Sequence, residues 1–189
     1  MKIIELLEDE QETYGNSEIV DLIKRDCKIF LDTKPSGLLY RGMTGKPNRS
    51  FKQSVRQDRR PRNMPPEVST AIDNWFNENF GFKARSQGVF VTGEFDDARS
   101  YGKPFAVFPI GAFPFVWSND VGDLFHLMHN VDPDEVASEL DTAGYQDSEM
   151  DDAIKSGNEI MIGCKAYYAV PITSEAEGQF MLDLLTKDK

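Results

Sequence analysis

A chain of 189 residues, 40% hydrophobic and 28% charged, can bury one sizeable core and has too much apolar content for a disordered tail. Its net charge of −11 argues against wholesale binding of nucleic acid and favours a self-repelling monomer. The uncharged stretch from Phe105 to Trp117 is too short to span a bilayer and is interrupted by Pro109 and Pro114, so no membrane partner is expected.

At the N-terminus, Met-Lys runs directly into alternating apolar and acidic residues without the apolar stretch of a signal peptide, which predicts a cytoplasmic protein. Cys27 and Cys164 are then expected as reduced thiols. Ile3, Ile4, Leu6 and Leu7 predict a short amphipathic helix. Ser17 is placed to cap a longer one with Ile19, Leu22, Ile23, Ile29 and Phe30 on its apolar face, making 1–34 a helical segment. After the break at Pro35-Ser36-Gly37, the run 38–43 (LLYRGM) reads as a strand ending on an arginine.

Residues 44–64 have little apolar periodicity and carry Lys46, Arg49, Lys52, Arg56, Arg59, Arg60 and Arg62 against the single acid Asp58. They read as a basic flexible loop able to act as a lid on an anionic substrate, with Arg56, Arg59, Arg60 and Arg62 as its contacts. Pro65-Pro66 starts a helix with Val68, Ile72, Trp75, Phe76 and Phe80 on one face.

Further on, 88–93 (GVFVTG) reads as a buried strand, 95–102 as a short helix ending at Gly102, and 105–110 as another strand. A helix with Val121, Leu124, Phe125 and Met128 inward follows, then an acidic helical stretch from Asp132 to Gly157. Residues 159–170 (EIMIGCKAYYAV) read as a hairpin of two apolar strands opened by Glu159. Ser174 with Glu177 forms a capping box for a last helix carrying Phe180, Met181, Leu184 and Leu185. Mixed strands and helices without regular alternation predict an α+β fold in one domain, 1–189. His126 and His129 sit one helical turn apart with Asp123 on a neighbouring turn, but with only two histidines in the chain and no cysteine nearby no metal is expected.

Three strands each carry one chemically capable side chain near an end: Arg41 in LYRG, Thr92 in GVFVTG and Glu159 in NEIMIGCKAYYAV. In this order the set resembles the ADP-ribosyltransferase family, whose pattern is an early arginine, a middle aromatic-x-Ser/Thr strand and a late glutamate opening a strand. The resemblance covers about residues 38–171 as three islands. It implies a split β-sheet core with flanking helices, NAD as substrate in the cleft, and transfer of ADP-ribose to a macromolecular acceptor such as a protein.

On that resemblance Glu159, Arg41 and Thr92 are the catalytic set. Cleavage of the nicotinamide–ribose bond develops positive charge on the ribose, which an anion at Glu159 stabilises while accepting from the ribose 2′-hydroxyl. Arg41, with the adjacent Gly42, offers a planar fork for the diphosphate. Thr92 is expected to orient Glu159, and Phe90 or Tyr101 to stack on nicotinamide. Small enzymes of this kind are often encoded by bacteria or phages, in which case the host cytoplasm is the location.

Two positions depart from the pattern. Gly157 stands where members that modify arginine carry a second acid or a glutamine, and Gly93 where a second hydroxyl is often found. The acceptor is therefore open among a side chain, a nucleic acid and water. A non-catalytic binding protein on the same fold, docking a partner through its basic loop, is the alternative.

Overall fold

A computed structural model describes residues 12–57, 59 and 64–187. Its elements run β1 (Thr13–Tyr14), α1 (Asn16–Asp26), α2 (Lys28–Asp32), β2 (Tyr40–Met43), β3 (Ser50–Ser54), α3 (Pro66–Phe80), α4 (Ala84–Gln87), β4 (Val89–Val91) and α5 (Phe95–Ser100). Then come β5 (Lys103–Pro109), β6 (Phe115–Ser118), α6 (Leu124–Met128), α7 (Val136–Thr142), β7 (Tyr145–Gln146), α8 (Met150–Ser156), β8 (Ile160–Ile162), β9 (Ala166–Pro171) and α9 (Glu175–Thr186). The fold is α+β, with two antiparallel sheets in the orders β1-β3-β9-β5-β2 and β4-β8-β6-β7.

The sheets are built from strand pairs that part company. β5 pairs with β9 in the first sheet, with Val107 opposite Ala169, while their chain neighbours β6 and β8 pair in the second, with Val116 opposite Met161. Residues 159–170 are therefore not a hairpin: β8 and β9 belong to different sheets, and Gly163-Cys164-Lys165 carries the chain between them. Two apolar strands joined by a short Gly-containing link mimic a hairpin in sequence, and only the partners on either side distinguish the cases.

β8 is buried on both faces, which explains its unbroken apolar run. Ile160 and Ile162 enter the larger core with Phe51, Phe105 and Tyr168, whereas Met161 enters a second core with Ile72, Phe76 and Leu140. Removing each isoleucine from water contributes roughly 1.5–3 kcal/mol. This rigidly held strand begins directly after Glu159.

Several local expectations hold for the physical reasons given. α3 starts at Pro66 and stops at Gly81, whose φ of 79° ends the helix in the left-handed region. The Ser174 side chain accepts from Glu177 N at 3.2 Å, and Glu177 reaches back to the N–H of Thr173, one residue before the cap. Other expectations are corrected. The 44–64 segment contains β3, paired between β1 and β9 inside the first sheet, because Phe51 is apolar enough to anchor it in the core. The acidic stretch 132–157 divides at Gly144, φ 64°, into α7, β7 and α8. α1 begins after Gly15 rather than Ser17, and Ile29 on α2 is 51% exposed. The short helix expected around Ile3–Leu7 falls outside the described residues, as do Arg60 and Arg62.

Candidate functional site

An isolated β-bridge between Tyr40 and Thr92 joins the two sheets. Tyr40 N donates to the Thr92 carbonyl at 2.7 Å, and Thr92 N returns a bond to the Tyr40 carbonyl at 2.9 Å. Arg41 follows Tyr40 on β2, so the bridge places it beside β4, where its Nη1 donates to the Phe90 carbonyl at 3.2 Å. One donor of the guanidinium is committed to the backbone, which fixes the orientation of the fork.

Thr92 points to the turn before β8. Its hydroxyl donates to the Gly157 carbonyl at 2.7 Å and accepts from Glu94 N at 3.1 Å. The expected direct contact with Glu159 is thus replaced by a grip on the backbone two residues earlier. Gly157 ends α8 at φ 71°, where a side chain would be strained, and a Cβ there would sit 2.7 Å from Glu94 Cγ. A Cβ at Gly93 would lie 1.8 Å from the Ile154 carbonyl oxygen. Gly93 is thus closed off by the backbone of α8, and Gly157 by its left-handed conformation and the Glu94 side chain.

Glu159 is half-buried at the floor of the resulting cleft. Its backbone N–H donates to the Gly122 carbonyl at 3.0 Å, and its carboxylate accepts from Leu124 N at 3.2 Å. The same helix start is capped by Asp123, whose Oδ1 accepts from Phe125 N at 2.6 Å and His126 N at 3.3 Å. Burial, and after it the charge of Asp123, push the Glu159 carboxyl up to about 7, against the favourable influence of Leu124 N–H, Arg85 and Arg41.

Arg41, Gly42, Phe90, Thr92, Tyr101 and Glu159 all line one cleft of about 450 Å³. Tyr101 is 67% exposed at its rim, and burial together with the nearby charge of Asp123 raises its phenol. A second groove of about 360 Å³, lined by Phe180 and Leu184, shares no residue with this cleft.

The basic residues distribute differently from expectation. Arg56 is exposed and does not line the cleft. Arg59 is half-buried, with Nη2 donating to the Gly88 carbonyl at 2.7 Å. Sequence reasoning placed Asp123 only with His126 and His129 and missed its role beside Glu159, although an acid directly before a helix start is a visible capping signal. It also missed Arg85, which nothing in its local sequence marks. His126 Nδ1 lies 3.7 Å from Asp123 Oδ2, and among the described residues no group of three possible metal ligands forms. Burial raises the Cys164 thiol to about 12, far from nucleophilic readiness at neutral pH. Among the described residues no helix is long and apolar enough to cross a membrane.

No family model, curated protein or solved structure matches this chain.

Proposed function

We propose that the protein is an NAD-dependent ADP-ribosyltransferase on a split-sheet fold of that family's type, with Glu159, Arg41 and Thr92 as its working residues. The observation that carries this reading is that three residues from distant parts of the chain line one cleft, together with the aromatic rings of Phe90 and Tyr101. Each has the chemistry that cleavage of the nicotinamide–ribose bond requires.

The bond between ribose C1′ and the nicotinamide nitrogen breaks, and its electron pair leaves with nicotinamide. The cation left on the ribose is stabilised by the Glu159 carboxylate, which also accepts from the 2′-hydroxyl. Arg41 holds the diphosphate with the donors that Phe90 does not occupy. Thr92 acts through Gly157, holding the turn that delivers Glu159. An acceptor nucleophile adds to C1′ and releases its proton to solvent. With Gly157 unable to carry an acid, the acceptor is one that needs none at that position.

The deciding experiment is nicotinamide release from NAD by wild type and Glu159→Ala, with and without cell lysate as acceptor. Release that the substitution abolishes supports the reading. No release by folded wild type overturns it, in favour of a binding protein that uses the same cleft without chemistry.

A further inference from the structure

Three guanidinium groups converge on β4. The Cζ atoms of Arg59 and Arg85 each lie 5.4 Å from the centre of the Phe90 ring. Arg59 is tied to the Gly88 carbonyl just before the strand, and Arg41 to the Phe90 carbonyl within it. Among the described residues none of the three is ion-paired, although the chain carries 32 acidic residues. Glu159 is near enough for Arg85 and Arg41 to favour its charge, but it accepts from Leu124 N instead of either arginine. Nε of Arg85 is buried without a hydrogen-bond partner. Burial, then the charges of Arg41 and Arg85, bring the Arg59 guanidinium down to about 10, a sign of crowded positive charge.

Such a cluster is unfavourable unless an anion completes it. A single carboxylate has two oxygens, enough for one bidentate arginine, whereas a phosphate group presents more oxygens and a diphosphate more charge. Arg41 and Phe90 line the cleft, while Arg59 and Arg85 are not among its lining residues but lie against the Phe90 ring. We propose that Arg59 and Arg85, together with Arg41, form a phosphate-binding site at Phe90 that holds the anionic part of a ligand running out of the cleft. The phosphate belongs either to the diphosphate of a dinucleotide or to a phosphodiester of the acceptor. The site stands independently of bond cleavage at Glu159, so its test uses binding alone.

The test titrates inorganic pyrophosphate, ADP-ribose and a short single-stranded oligonucleotide into wild type, Arg59→Gln, Arg85→Gln and the double variant, by calorimetry at two salt concentrations. Arg99→Gln, an exposed α5 side chain outside the cleft lining, controls for net charge. The expected result is salt-sensitive binding of pyrophosphate or the oligonucleotide that weakens roughly tenfold or more in the double variant and not in the control. Weakened ADP-ribose binding identifies the dinucleotide as the source; weakened oligonucleotide binding with ADP-ribose unchanged identifies the acceptor. If the double variant does not fold, Arg59→Gln decides by the same criterion. The proposal fails if no probe binds wild type, or if every probe that binds does so equally well without these arginines.

Discussion

Asp123 and Glu159 draw on the same first turn of α6: Glu159 takes the N–H of Leu124, and Asp123 takes those of Phe125 and His126. Two carboxylates at one helix start repel, and burial adds to the effect on Glu159, whose carboxyl is raised to about 7. Stabilisation of a ribosyl cation needs Glu159 ionised. The kcat/KM for nicotinamide release should therefore rise with pH through about 7 and level off above it, since this parameter reports the free enzyme. Asp123→Asn keeps a capping side chain and removes the neighbouring charge, so the midpoint should move to lower pH. A midpoint that stays in place would show that burial alone sets it.

The same shift bears on stability. Glu159 is raised from 4.5 when unfolded to about 7 when folded, so the folded protein holds the proton more tightly between those values. Stability should fall as pH rises through that window and remain low above it. Glu159→Gln should be stabilising by on the order of 1–3 kcal/mol at pH 8, and close to neutral near pH 4, while abolishing nicotinamide release. Thermal melts at the two pH values read the difference directly.

Arg41 combines a backbone anchor with a planar fork, and a lysine reproduces only the charge. NAD should raise the melting temperature of wild type, and the rise should be largely lost in both Arg41→Lys and Arg41→Ala. Full retention in the lysine variant would mean that charge suffices and that the fork has no role.

Thr92→Val preserves shape but leaves the Gly157 carbonyl and Glu94 N–H without the hydroxyl that joins them. A loss of about 1–3 kcal/mol is expected, lowering Tm by roughly 3–8 °C, with Thr92→Ser close to wild type. Because the grip is on the turn before Glu159, nicotinamide release should fall further than stability explains. It should be measured at a temperature where both proteins remain folded.

Much of the local architecture is legible in the sequence, because its causes lie within a few residues. Pro66 and Gly81 bound α3, Ser174 and Glu177 begin α9, and the apolar run at 160–162 marks a strand buried on both faces. The α+β class follows from the irregular mixture of such signals. Arg41, Thr92 and Glu159 were likewise identifiable as polar side chains at strand ends, although their common cleft was not. That depends on partners remote in the chain: the Tyr40–Thr92 bridge, the parting of β8 from β9 into different sheets, and β3 completing a sheet from within a basic segment. Local pattern specifies whether a residue is in a strand and which way it faces, but pairing is decided by which apolar faces can be buried together. For the same reason Asp123 beside Glu159, and Arg85 with Arg59 at Phe90, emerge only in three dimensions, where charges far apart in sequence come close enough to alter one another.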